Sequence, residues 1–319
     1  MKTKLFFCLF VVSFFLAASV PADAEYPTKP VTLIAWASPG SSSDICARTL
    51  AKVSQEFMGQ PIAVINKRGG GGLVAMKYLL SKPADGYTIL LNTKSIVATL
   101  NRKGMTVHPK DFDYICGVQY DPNLLSLGPA SPVKDFKGFI DYAKKNPGEL
   151  RVSGYRAGAY HHSVMFRIEK AAGIKVKWVP YPGSGDATVA AIGGHVHATL
   201  SNPTSQLGGI ESGKLIPIVA TGGKRLAKFP AVPTLKEAGV DLEEFQFRGV
   251  VAKKGTPSEI ISKLMDAIKK GTETDEWQAF IKKVQQPYFY MPGPEYRELV
   301  MKEFSEYKPV IAEMMKFEK

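Results

Sequence analysis

Cysteine and long apolar runs are both scarce in this chain of 319 residues. There are three cysteines, Cys8, Cys46 and Cys116, too few for a disulfide-stapled fold. Cys46 and Cys116 each sit among apolar neighbours, in Asp44-Ile45-Cys46-Ala47 and Tyr114-Ile115-Cys116-Gly117. They read as buried free thiols, although an oxidising compartment leaves a disulfide open. One continuous apolar run stands out, residues 5–18, with Lys2 and Lys4 before it and Ala22-Asp23-Ala24 after it. That is the charged, apolar and small-x-small order of a cleaved secretory signal peptide, residues 1–24. The run is shorter than the roughly 20 residues a spanning helix needs. Cys8 lies inside the run and not at the cleavage site, which argues against a lipid-modified terminus. A soluble, exported protein of 295 residues is expected, enough for two domains.

Acidic residues are also outnumbered, 29 against 41 Lys and Arg, for a formal charge of +12. Removing Lys2, Lys4 and Asp23 with the leader leaves +11. The balance suits anionic ligands. The cations are nevertheless spread from Lys29 to Lys319 and interleaved with acids, as in Lys302-Glu303 and Glu306-Tyr307-Lys308. Such interleaving marks solvated helix faces and excludes a nucleic-acid footprint.

Several chemical motifs are missing or incomplete. No phosphate-loop Gly-Lys-Ser/Thr occurs, and Gly70-x-Gly72-x-x-Ala75 lacks its acidic partner because the next strand ends in Asn92. His195-Val196-His197, even with His161 and His162, has no carboxylate or thiolate close in sequence to complete a zinc site. Ser184 in Gly183-Ser184-Gly185-Asp186 lacks the Gly-x-Ser-x-Gly elbow of a nucleophile. No cofactor, metal or catalytic residue is expected.

What the chain does offer begins at Val31. An apolar run over residues 31–36 enters Ala37-Ser38-Pro39-Gly40-Ser41-Ser42-Ser43-Asp44, then an apolar-periodic segment. This is strand, polar loop and helix, with Ser43 or Asp44 as N-cap. Free first-turn N–H groups and the helix dipole make such a junction an anion site. The plain alternative is an ordinary connection whose serines only cap the helix. Further on, strands (61–66, 87–91, 123–127, 150–154, 175–181, 198–201, 214–221, 245–253) alternate with helices (73–82, 133–146, 160–172, 187–193, 257–270, 294–319). Alternation of this kind implies α/β sheets, mixed but mostly parallel and flanked by helices. Two sets with a return strand suggest two lobes, residues 25–121 with 247–319 and residues 122–246, joined by segments crossing near Tyr120 and Gln246.

Ordered segments along the chain resemble one family. They are Tyr26-Pro27-Thr28-Lys29-Pro30-Val31, Pro39-Gly40-Ser41-Ser42-Ser43-Asp44, Gly59-Gln60-Pro61, Val64-Ile65-Asn66 and Asp85-Gly86-Tyr87-Thr88. Val179-Pro180-Tyr181-Pro182-Gly183, Gly193-Gly194, Pro233-Thr234-Leu235-Lys236-Glu237-Ala238-Gly239 and Gly255-Thr256-Pro257 follow. In this order they are similar to the tripartite tricarboxylate transporter substrate-binding proteins, the Bug family. The resemblance implies a type II Venus-flytrap binding protein in the periplasm. It would hold a carboxylate between its lobes and hand it to a permease of small and large membrane subunits, without turnover and as a monomer. A sensor that engages a membrane receptor, or an enzyme of unknown reaction, are the alternatives.

The same resemblance implies the contacts. From the first lobe come Trp36, Ser38, Pro39, Gly40, Ser41, Ser42, Ser43 and Asp44, with Asn92, Thr93 and Ser95 at the cleft edge, unless those three only cap a helix. From the second lobe come Tyr155, Arg156, Gly158, Ala159, Tyr160 and His161, with Tyr181, Gly183, Asn202 and Thr204 on the rim. The family usually has another glycine at Ser41 and at Arg156, and a hydroxyl residue at Ala159. An arginine fork at position 156 would suit a second carboxylate, while an Arg156 pointing to solvent is the plain alternative.

Overall fold

The computed structural model describes residues 26–317. Short β-branched and apolar runs form strands, and polar loops break each into a following helix. In chain order the first group is β1 (Val31–Ala35), α1 (Ser42–Met58), β2 (Ile62–Asn66), α2 (Leu73–Leu80), β3 (Thr88–Thr93), α3 (Lys94–Leu100) and β4 (Phe112–Pro122). The second is β5 (Leu124–Leu127), α4 (Phe136–Lys145), β6 (Arg151–Tyr155), α5 (Tyr160–Ala172), β7 (Lys177–Tyr181), α6 (Ser184–Ile192), β8 (Ala198–Ser201), α7 (Pro203–Glu211) and β9 (Ile216–Ala220). The chain closes with β10 (Phe245–Lys253), α8 (Ser258–Glu273), α9 (Asp275–Lys283), β11 (Met291–Pro292) and α10 (Gly293–Phe317).

Two sheets result, ordered β11-β4-β10-β3-β1-β2 and β7-β6-β8-β5-β9. Both are mixed, but the expected parallel majority needs correcting. Among the named strands, parallel pairing is confined to β1 with β2 and β3, and to β6 with β7 and β8. The chain's returns add antiparallel partners, β10 and β4 to the first sheet and β5 to the second. The parallel halves matter for function. Strands β1 and β3 end at one edge, where α1 and α3 begin; β6, β7 and β8 end at one edge, where α5, α6 and α7 begin.

Strand β4 stays in the first sheet to its end, Pro122 pairing with Phe245, and β5 opens in the second at Leu124. The β4/β10 ribbon is therefore the hinge. Its close packing requires Gly249, since a Cβ there would lie 2.4 Å from the Cys116 carbonyl oxygen and 2.4 Å from the Tyr296 ring. Helix α10 bridges both lobes. Tyr296 and Val300 belong to a first-lobe core with Phe247 and Leu79, whereas Tyr307, Ile311 and Met314 pack in the second-lobe core with Phe139, Val164 and Leu200. Cys46 and Cys116 are free and buried, and burial pushes the Cys46 thiol up to about 12.

Helices α3, α7 and α9 and strand β4 were not among the expected elements. Helix α3 follows β3 with no turn, because Thr93 ends the strand and caps the helix, its Oγ1 accepting the Ile96 N–H at 3.4 Å. Strand β4 is buried along nearly its whole length, so it has no alternating polar face to mark it.

Candidate functional site

At the end of β1, Gly40 takes a left-handed turn with φ of +77°, which a residue without Cβ adopts freely. Ser41, extended, is the N-cap of α1, and its Oγ accepts the Asp44 N–H at 3.3 Å. The expected cap at Ser43 or Asp44 is displaced for a definite reason. Asp44 reaches back with Oδ2 to the Gly40 N–H at 2.8 Å and to Arg48 Nε at 3.0 Å, while Oδ1 accepts Asn66 Nδ2 at 2.8 Å. Burial would raise its pKa, but the hydrogen bonds from Arg48, Asn66 and Gly40 outweigh it and hold the carboxyl below its ordinary value. Asp44 thus braces the loop with both oxygens occupied. Ser38 accepts the Ser41 N–H through its carbonyl at 3.1 Å, and Pro39 is exposed beside it. The backbone N–H groups of Ser42 and Ser43 are left without a protein acceptor at the start of a helix of 17 residues. Trp36 is turned into the first-lobe core with Met76 and Ile96.

At the edge of β3, the Asn92 Nδ2 donates to the Tyr296 hydroxyl at 3.2 Å. Ser95 Oγ accepts Gln246 Nε2 at 2.8 Å, tying α3 to the hinge strand. With Thr93 as a cap, these three side chains are committed to the fold, two of them in the first lobe and one at the hinge.

From the second lobe, the Arg156 N–H donates to the Tyr181 carbonyl at 3.0 Å. Its φ is +37°, the left-handed region where the family's usual residue is glycine. Its exposed guanidinium lies 5.5 Å from the Tyr155 ring centroid. Gly158 donates to His162 Nδ1 at 3.0 Å and accepts Arg102 Nη2 at 2.9 Å, a contact from lobe to lobe. Tyr160 lies in the core, its hydroxyl accepting Asn123 Nδ2 at 3.0 Å. His161 is buried, and its Nδ1 accepts the Tyr155 N–H at 3.3 Å. Burial, then the charge of Arg248, pulls its pKa down to about 4, against a hydrogen bond with Asn202 that raises it. Exposed Thr204 bridges the lobes, Oγ1 donating to the Val284 carbonyl at 3.0 Å.

The floor between the lobes is built from residues that the sequence reading did not single out. Arg248 on β10 and Asp121 and Gln119 on β4 are all buried. Arg248 Nη1 donates to Gln119 Oε1 at 2.8 Å and to Asp121 Oδ2 at 2.9 Å, and Asn202 Nδ2 reaches the same Oδ2 at 2.5 Å. Arg248, Asp121 and Gln119, with Ser42 and Thr204, line a cavity of about 20 Å³ between the lobes, room for about one water. A lone arginine in the apolar run Phe245–Lys253 was the sequence signal available.

Behind this floor lies a second buried charge cluster. Lys94 Nζ contacts Glu244 Oε2 at 2.8 Å and Glu303 Oε2 at 2.9 Å, while Arg167 pairs with the other Glu244 oxygen and Tyr307 donates to Glu244 at 3.3 Å. Burial lowers the Lys94 pKa, but Glu244, Tyr307 and Glu303 outweigh it, and the ammonium is held above its ordinary value. Glu303 is raised because its own burial exceeds the pull of Lys94. With the Glu244 and Glu303 carboxyls both against its ammonium, Lys94 is held protonated.

Helices α5, α6 and α7 all begin without a side-chain cap, at Ala159, Gly183 and Asn202. Their unpaired first-turn N–H groups, with those of α1, gather partial positive charge on the facing sheet edges, a setting for anionic oxygen. A larger hollow, about 660 Å³, lies on the outer face of the second lobe between α4 and β9. The α4 terminus there is already closed by Asp135, which accepts the Gly138 N–H at 2.7 Å. Among the described residues, no group of three His, Cys, Asp or Glu side chains converges as a metal site.

Two lobes, a hinge ribbon and opposed helix N-termini define a solute-binding protein of the two-lobe type. The profile of the tripartite tricarboxylate transporter family receptor matches residues 46–315, and the chain belongs to that family of extracytoplasmic binding proteins, which are not enzymes. It is 31% identical over 301 residues to the UPF0065 protein in the gbd 5' region of Cupriavidus necator, covering 93% of this chain and 92% of that one. Protein BugT of Bordetella pertussis is 32% identical over 79% of each chain. The solved structure of R. palustris Rpa4515 with adipate superposes with a TM-score of 0.79 at 28% identity, covering 91% of this chain and 98% of that one.

Proposed function

We propose that the protein captures a small carboxylate, a dicarboxylate, tricarboxylate or aromatic acid, in the cleft between its lobes. After cleavage of residues 1–24, which lie outside the described residues apart from the expectation drawn from their sequence, it works in the periplasm as a monomer. It delivers the solute to a tripartite tricarboxylate-type membrane permease. The observation that carries this reading is the set of helix starts on the facing edges, three lacking side-chain caps and the fourth, α1, retaining free N–H groups at Ser42 and Ser43. A carboxylate accepting two or three such bonds gains about 1.5–3 kcal/mol from each. Ser42 and Ser43 would hold one end from the first lobe; Ala159, Gly183 and the Tyr155 and Tyr181 rings would close from the second, beside Gly158, whose N–H is already taken by His162. Both lobes supply donors, so binding favours closure about the β4/β10 ribbon. The relative with adipate supports the ligand class.

The test is thermal unfolding of residues 25–319, refolded to strip copurified solute, against mono-, di-, tri- and aromatic carboxylates and neutral amides. A ligand at 100 times its dissociation constant stabilises by about 2.7 kcal/mol. A shift of that size with a carboxylate is expected. Shifts with neutral compounds alone would remove the anion site.

A further inference from the structure

The cleft floor bears on what the ligand carries besides its carboxylate. Arg248 is 4% exposed and Asp121 1%, and each keeps one polar atom without a protein partner, Arg248 Nε and Asp121 Oδ1. Buried polar atoms are nearly always paired, and leaving one unpaired is costly. Both residues line the cavity that also touches Ser42 at the open start of α1. Two residues that each keep a free polar atom therefore share this cavity with Ser42, whose backbone N–H is expected to take the carboxylate.

We propose that Asp121 and Arg248 read a hydrogen-bond donor set beside the ligand's carboxylate, so that the protein prefers amino or hydroxy acids to the unsubstituted acids of the same skeleton. The inference rests on the carboxylate reading above. Charge decides the preference. Arg248 and Asp121 cancel across 2.9 Å, and His161, facing them through Asn202, is neutral at pH 7 because its pKa is lowered to about 4. A second bare carboxylate at this floor meets Asp121 Oδ1 with like charge and no proton to share. An ammonium or hydroxyl donates to Oδ1, while Arg248 Nε donates to the oxygen next to it. Asn202 Nδ2 and Arg248 Nη1 already hold Asp121 Oδ2, and Gln119 Oε1 in turn holds Arg248 Nη1, so the discriminating carboxylate is positioned before the ligand arrives.

Calorimetric titration of refolded residues 25–319 tests this with three matched series: propionate, lactate and alanine; succinate, malate and aspartate; glutarate, 2-hydroxyglutarate and glutamate. In the series that binds, the amino or hydroxy member is expected to bind at least tenfold more tightly than the parent, and Asp121→Asn to bring the two within threefold. Which substituted member leads tells ammonium from hydroxyl. A parent acid that binds as tightly as its substituted partners overturns the proposal and leaves the carboxylate reading standing. If no member of any series binds, this inference falls, and the thermal-shift panel of tricarboxylates and aromatic acids decides the carboxylate reading separately. The wild-type ratio needs no variant, so the test survives if Asp121→Asn misfolds.

Discussion

Lys94 and Arg248 are both cations buried where the lobes meet, but the protein surrounds them differently. Lys94 has two carboxylates of its own, Glu244 and Glu303, and Arg167 completes Glu244 from the second lobe. Arg248 has a single carboxylate, and both partners, which line the cavity, retain an unpaired atom. A saturated cluster has nothing left to offer a ligand and fixes how α3, α5 and α10 meet. An unsaturated one is incomplete until something enters the cleft. The first is architecture and the second is a site, and the two are separable by experiment.

The largest expected effect falls on the saturated cluster. Lys94→Met leaves Glu244 and Glu303 buried with less compensation, and a loss of about 3–5 kcal/mol in chemical unfolding is expected; a loss below about 1 kcal/mol would erase the contrast. Next comes acid sensitivity at the cleft. His161 has a folded pKa of about 4 against an ordinary 6.5, so its contribution is complete above about pH 6.5 and is lost as pH falls toward 4. Stability measured from pH 7 to 4 should fall less steeply in His161→Gln than in wild type, and equal slopes would show that His161 is not held neutral. For Arg248→Gln, a fall of at least tenfold in ligand affinity is expected, about 1.4 kcal/mol, read by calorimetry. The smallest effect belongs to exposed Arg156: Arg156→Ala should weaken binding less than Arg248→Gln does, and the reverse order would move the recognising arginine to the rim.

Much of the scaffold was legible because its signals are local. Helix α5 and strands β8 and β10 have the expected bounds, being set by flanking glycines, polar turns and apolar runs. The β1 to α1 junction was likewise readable from its serines. Side-chain direction was not. Asp44 reads as a contact in sequence, yet Asn66 arrives from β2 to occupy it. Tyr160 reads as a second-lobe contact, yet its ring lies in the core and its hydroxyl accepts from Asn123 at the hinge. The floor was missed because Asp121 and Arg248 are far apart in sequence and become neighbours only through the antiparallel register of β4 and β10.

The most direct measurement of the central claim compares the carboxylate that gives the largest thermal shift with its own primary amide, by calorimetric titration of refolded residues 25–319. The two have nearly the same shape, but only the carboxylate brings charge to the open helix N-termini. Binding of the carboxylate at least 100-fold more tightly is the expected result. Equal affinities would contradict an anion site at the starts of α1, α5, α6 and α7.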